Sequence, residues 1–238
     1  MFHYIVPARK GSKGFPNKNR KLVPIIKEKF PRRVLSRIIV TTDDPKIQEF
    51  VRESRMKLVE RPKELAQDDT SIKPVINHVF SKFNFYDSDD VVLLYPTYPE
   101  REYKKDVRSI LGFYKKNRAS SLLCCQPPVE DTYSHLMVRL DSDTMKARHV
   151  FPSEKGKFRR QEAKGKLKDL DFEIHSGENV YEYSHFVSVF QVNELDSLNK
   201  NLYNEDTIYY RLNNRVIDVD TEEDWRQYQE GLNDQEAA

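Results

Sequence analysis

Ile5-Val6-Pro7-Ala8-Arg9-Lys10-Gly11-Ser12-Lys13-Gly14-Phe15-Pro16-Asn17-Lys18-Asn19 joins an apolar run of strand length to a loop with two glycines, a serine and four cations. Such a loop suits a polyphosphate: glycine lets backbone N–H groups approach the oxygens, while Arg and Lys neutralise their charge. It is not a Walker loop, which needs Gly-Lys-Ser/Thr after four variable residues and then a helix, and Pro16 stands against an immediate helix. The same composition also fits a solvated basic turn, so the rest of the chain decides.

Outward from this stretch, short apolar runs alternate with helix-like segments, the pattern of an α/β domain with a mostly parallel sheet. The strand candidates are Tyr4–Ala8, Arg37–Thr42, Lys57–Glu60, Val91–Tyr95 and Ser120–Cys125. Asp44-Pro45 opens a helix over Lys46–Ser54, Thr70 caps one over Ser71–Phe83, and a third covers Lys105–Asn117. Later come strands at Phe186–Val192 and Arg215–Asp220, a helix over Glu222–Leu232 and a fraying tail, Asn233–Ala238. The charged stretch Ser153–Asp171 has no apolar period and reads as an exposed loop or lid. The 238 residues therefore read as one domain, 1–238, with an inserted lid or dimerisation segment around 126–185.

Composition narrows the function classes. Charged residues make up 33% of the chain and hydrophobic ones 38%, so the surface is highly charged, yet the net charge is only +2. That balance supplies no global field for nucleic acid or an anionic membrane, and any anion site must be local. No run approaches the roughly 20 apolar residues of a membrane span, and the start of the chain lacks a signal-peptide pattern. The expectation is a soluble, cytoplasmic protein without nucleic-acid or membrane partners. Cys124 and Cys125 are adjacent in an apolar strand, so they face opposite ways and read as packing residues.

Near the other end, Ile217-Asp218-Val219-Asp220-Thr221 supplies the complementary charge. In a strand Asp218 and Asp220 share a face, and a carboxylate pair suits Mg²⁺, which takes one or two carboxylates plus substrate phosphates. The competing reading is that Asp220 or Thr221 caps the final helix. A basic loop and an acidic strand together favour a nucleotide site.

At this point a family resemblance emerges. The Ile5–Asn19 stretch resembles the IPARGGSKGIPxKN signature of the CMP-sialic acid synthetase, or acylneuraminate cytidylyltransferase, family. Ile39–Asp44 is similar to the family's IVSTDD segment, Arg61–Ser71 to RPxELAxDxxS, Leu94–Arg101 to the QPTSPLR turn and Ile217–Thr221 to IDIDT. The resemblance implies a Rossmann-like, GT-A-like nucleotidyltransferase fold, a three-layer sandwich on a mixed, mostly parallel sheet. It implies that CMP passes from CTP to the anomeric hydroxyl of a 3-deoxy-ulosonic acid, with Mg²⁺ as cofactor and pyrophosphate released. By the same likeness Ala8, Arg9, Ser12, Lys13, Lys18 and Asn19 hold the nucleotide's phosphates, and Arg61 and Ser71 its cytidine end. Arg9, Lys18 and Asp218 are the expected catalytic residues, with Lys18 closest to the α-phosphate, and Asp218 and Asp220 bind the metal. Tyr95, Thr97, Arg101, Arg160 and Gln161 are assigned to the acidic sugar, with Arg159 a further cation and His135 and His185 nearby. A homodimer is implied as well. The acceptor proton goes to Asp218 or to a metal-bound hydroxide.

Several positions depart from the family. Lys10 replaces a glycine, Tyr95 a glutamine, Tyr98 a serine and Glu100 an apolar residue, and the Asn-Gly-Ala segment before the late strand gives way to Tyr183–Phe190. Arg20–Ser36 is short and lacks the Gly-Gly-Lys-Pro turn, which predicts a stunted helix or a loop there. The acceptor is read as a nonulosonic acid such as a sialic, legionaminic or pseudaminic acid, with Kdo still open. Two other functions remain in play: a sugar-1-phosphate nucleotidyltransferase, and a nucleotide- or sugar-binding module of the same fold without turnover.

Overall fold

The computed structural model describes residues 1–128, 136–149 and 179–236. Strand β1 (Phe2–Pro7) lies between β2 (Ile38–Thr42) and β4 (Asp90–Leu93), and β3 (Lys57–Glu60) continues the sheet beyond β2, all four parallel. Past β4 the sheet turns mixed. The twelve-residue β8 (Val180–Gln191) runs antiparallel to β4 and to β5 (Ser121–Gln126), and β9 (Ile208–Arg211) pairs parallel with β5. A hairpin of β6 (Met137–Leu140) and β7 (Ala147–His149) hangs on the start of β8. The order β3-β2-β1-β4-β8-β5-β9 bears out the mixed α/β sheet.

Strand alternation builds the layers. Tyr4, Val6, Ile38, Val40, Val92 and Leu94 are buried together under helices α1 (Lys18–Lys29), α2 (Arg32–Leu35), α3 (Pro45–Arg52) and α5 (Arg108–Lys116). Ile5, Ile39, Val91 and Leu93 face the other way, under α4 (Ile72–Phe80) and the leucines Leu195, Leu198 and Leu202. Each such side chain withdrawn from water contributes on the order of 2 kcal/mol, which is what clamps helices to both faces. Helix α6 (Glu222–Glu236) closes the phosphate-loop end through Tyr228, packed with Phe15, Leu22 and Val219. Among the described residues no helix is long and apolar enough to cross a membrane.

The structure changes some details read from the sequence. Where a stunted segment was expected, α1 is a full helix of twelve residues. Leu22, Val23 and Ile26, all buried, give it a core-facing stripe that outweighs both the missing turn and Pro24 inside it. The chain passes Pro16 through Asn17 in a left-handed conformation (φ 58°), and the helix opens one residue later. Arg215–Asp220 is not a sheet strand: the last ladder contact is Leu212 N–H to the Cys125 carbonyl, and beyond it Val219 N–H donates to Thr97. The strand of that region is β9, a few residues earlier. Thr70 does not cap α4; its hydroxyl bonds the Glu64 carbonyl, and Ser71 precedes the helix without a capping bond. Asp44 does cap α3, accepting from Lys46 N–H at 2.9 Å with Pro45 at the first position. Helix α6 runs to Glu236, beyond the expected end at Leu232. Cys124 and Cys125 are free, buried and on opposite faces, as packing residues should be.

Candidate active site

The phosphate loop follows β1, Arg61 follows β3 and Tyr95 follows β4, so all three meet at the carboxyl edge of the parallel strands, where open α/β sheets form their clefts. A cavity of about 360 Å³ lies there. Its lining includes Arg9, Ser12, Lys18, Asn19 and Asp220 at the basic loop, Arg61, Gln67 and Thr70 after β3, Tyr95 and Thr97 after β4, His185 of β8, and Lys200.

Two backbone devices shape the loop. Gly11 adopts φ +81°, a left-handed conformation that side chains resist, and Gly14 sits where an added Cβ would come within 2.8 Å of the Asp220 carbonyl. Gly14 thus brings the basic loop against the acidic segment. Asn19 ties the loop down from α1, its amide donating to the Arg9 carbonyl at 2.8 Å. Lys10 N–H donates to Asp43 at 2.7 Å, so this side-chain change is absorbed at the surface. Ala8 is fully buried and its N–H is spent on the Thr41 carbonyl, leaving it a structural place beneath the loop.

Lys18 opens α1 and points across the cleft to Asp220 at 2.7 Å, with only 9% of its side chain exposed. A buried ammonium at a helix N-terminus combines a full charge with the positive end of the macrodipole. Arg9 and Lys13 share one partner, Asp68, at 2.6 and 2.5 Å. Lys13, and after it Arg9, holds the Asp68 carboxyl below the usual carboxylate value. Arg61 is buried, donates to the Thr41 carbonyl at 2.8 Å, and has its pKa lowered to about 10 by burial, with Arg9 adding to the effect. Ser71 is exposed; its neighbours Thr70 and Ile72 line the cavity.

Asp218 reaches solvent but is crowded by protein, and that desolvation, with the Asp220 carboxylate beside it, pushes its pKa up to about 6. Tyr98 donates to it at 3.1 Å, and Thr97 and Lys18 also favour its charged form. Asp220 lines the cavity and Asp218, which does not, lies close enough to feel its charge; two such carboxylates suit a hard divalent cation with phosphate oxygens completing its shell. Among the described residues no cluster of three or more His, Cys, Asp or Glu exists, so an all-protein cage is not built here.

The acceptor-side residues divide. Tyr95 and Thr97 line the cavity, and Tyr95 packs edge-on against His185 with centroids 5.5 Å apart. His185 bonds Ser188 at 3.0 Å, and burial lowers its pKa to about 4, so it is neutral. Arg101 does not line the cavity. It is 2% exposed and donates to the carbonyls of Tyr95, at 2.7 Å, and Phe186, which makes it a brace behind the Tyr95–Pro99 turn. Arg159, Arg160, Gln161, His135 and the Ser153–Asp171 loop lie outside the described residues. Sequence reasoning missed Asp68 as the partner of the loop cations, although it sits in the Arg61–Ser71 motif. It also missed Lys200 and Asn201, which carry no local signature.

Comparison with known proteins agrees with this geometry. The family described as Cytidylyltransferase matches residues 3–99. The N-acylneuraminate cytidylyltransferase of Escherichia coli O18:K1:H7 (strain RS218 / NMEC) is 34% identical over an alignment of 105 residues that covers 41% of this chain and 25% of that relative's length. The solved structure of CMP:2-keto-3-deoxy-manno-octonic acid synthetase complexed with CTP superposes with TM-score 0.69 at 13% identity, covering 98% of this chain and 99% of that one. A putative glucose-1-phosphate thymidylyltransferase from Bacillus anthracis, in complex with a sucrose, gives TM-score 0.56 at 9% identity over 95% of this chain and 93% of its own. At those identities the two structures establish a shared nucleotidyltransferase fold. The likeness to the family described as Cytidylyltransferase falls on residues 3–99, which hold the basic loop, Arg61 and the Tyr95–Pro99 turn.

Proposed function

We propose that the chain transfers CMP from CTP to the anomeric hydroxyl of a 3-deoxy-ulosonic acid, a nonulosonic acid in preference to Kdo, and releases pyrophosphate. The observation that carries this reading is the pairing of the buried Lys18 ammonium with Asp220 in a cleft that also holds Arg9, Ser12 and Arg61. A site built for phosphoryl transfer needs placed charge more than a covalent nucleophile. In this reading Arg9, Lys13 and the loop N–H groups hold the β- and γ-phosphates, while Arg61 and the 65–72 wall take the nucleoside. Lys18 turns from Asp220 to an α-phosphate oxygen, where a preorganised donor contributes on the order of 3 kcal/mol in the transition state. Asp218 and Asp220 would hold Mg²⁺, which when bound supplies charge neutralisation at the phosphates. Asp218 accepts the proton of the attacking hydroxyl. The nonulosonic preference rests on sequence likeness over 105 residues to an enzyme named for N-acylneuraminate. A homodimer and a cytoplasmic location belong to the same proposal.

The test is pyrophosphate release with Mg²⁺ and CTP over sialic, legionaminic, pseudaminic and Kdo acceptors, with ATP, GTP and UTP as controls and Asp220→Ala alongside. Acceptor-dependent release with CTP alone, abolished in the variant, is the expected result. Release with a sugar 1-phosphate instead would favour the fold's other reaction. CTP binding with no release from any acceptor would favour a binding module.

A further inference from the structure

The acidic acceptor proposed above needs a cation for its carboxylate, and Arg101 is consumed by two backbone carbonyls behind the turn. In the reading above Arg9, Lys13 and Lys18 serve the phosphates and Arg61 the nucleoside, so none of these cations is left for the acceptor. Lys200 and Asn201 line the same cavity as Tyr95 and His185. Lys200 is exposed.

Its loop is a built support. Leu195, Leu198 and Leu202 are at most 2% exposed and pack with Ile76, Val79 and Phe190. Lys73 of α4 clamps the loop from outside, donating to the carbonyls of Asp196 at 3.1 Å and Leu198 at 2.7 Å. The Asn199 side chain accepts from Asn201 N–H at 2.8 Å, and Leu202 turns the chain at φ 61°. Apolar packing, the Lys73 bonds and the Asn199 turn hold a two-residue tip, and that tip carries one ammonium and one amide. An ammonium is a point-charge partner for a carboxylate, and an amide can both donate to and accept from sugar hydroxyl or acylamino groups.

Resting on the ulosonic-acid reading, we infer that Lys200 is the acceptor-carboxylate anchor, with Asn201 a polar contact to the same sugar. The experiment measures acceptor KM and kcat, and CTP affinity by calorimetry, for wild type, Lys200→Met and Lys200→Arg. It also compares the free acceptor acid with its methyl ester. The expected result is an acceptor KM about tenfold higher in Lys200→Met, the order of one charge-assisted contact at a solvent-open site, with CTP affinity unchanged. Lys200→Arg keeps most of the acceptor affinity. Wild type discriminates against the methyl ester about tenfold, and Lys200→Met loses that discrimination, a result that a merely structural role would not produce. An unchanged acceptor KM in Lys200→Met, with wild type active, overturns this inference and leaves the cytidylyltransferase reading standing. A parallel loss of CTP affinity overturns it by moving Lys200 to the nucleotide. No turnover by wild type with any carboxylated sugar removes the activity reading and this inference together.

Discussion

The two ends of the cleft are built on opposite plans. At the phosphate end charge is paired in place: Lys18 with Asp220, and Arg9 and Lys13 with Asp68. At the other end aromatic rings and a buried arginine organise backbone, with Tyr95 against His185 and Arg101 under the Tyr95 and Phe186 carbonyls. The contrast teaches that the basic end is local electrostatics carried largely on one loop. The other end is tertiary, with Tyr95 after β4 set against His185 of β8.

The hardest blow to the first plan is Lys18→Met. If the buried ammonium acts on the α-phosphate, kcat falls by about 10²–10³-fold, the usual loss for one preorganised donor, and the circular dichroism stays native. A fall of less than about tenfold would put Lys18 with the bystanders. At the opposite end, Arg101→Met tests whether that arginine is scaffold. Two buried carbonyls lose their donor, and urea unfolding should show a loss of about 2–3 kcal/mol. A stable variant with a raised acceptor KM would return Arg101 to the sugar.

The same contrast explains what was legible in the sequence. Ile5–Asn19 showed the phosphate end because strand, glycines and cations are contiguous, and the Asp218-Val219-Asp220 spacing marked the acidic side even though that segment lies outside the sheet. The parallel half of the sheet was legible through its apolar runs. Strand β9, Ile208–Arg211, was not, since it is short and half of it is open to solvent. Nor was α1, where the short segment and missing family turn argued against a helix that the buried Leu22, Val23 and Ile26 stripe enforces. Lys200 and Arg101 could not be told apart in advance. One is aimed into a cleft and the other away from it by long-range packing, and no local spacing records that difference.

Gly14→Ala probes the seam where loop and acidic segment touch. The added methyl meets backbone, the Asp220 carbonyl, which cannot rotate away as a flexible side chain could. The expected cost is about 1–2 kcal/mol of stability with a several-fold fall in kcat/KM for CTP, read by thermal unfolding and steady-state kinetics. Wild-type behaviour would mean that the seam is looser than a 2.8 Å approach implies.

The smallest effect is the most discriminating, because it asks whether Asp68 helps or hinders the nucleotide. Its carboxylate sits where Arg9 and Lys13 converge, and phosphate oxygens need those same donors. Asp68→Asn should therefore tighten CTP binding by about two- to fourfold in low salt, and raising the ionic strength should shrink the difference, since the pairs are exposed and screened. The pH dependence has a definite sign. Asp68 titrates below the ordinary carboxylate value, so the contact is present above that value and is lost only as pH falls through the lowered pKa. The advantage of Asp68→Asn over wild type should then hold through the neutral range and disappear only in acid. Weaker binding in the variant would instead make Asp68 a positioning residue that sets the two cations for the phosphates.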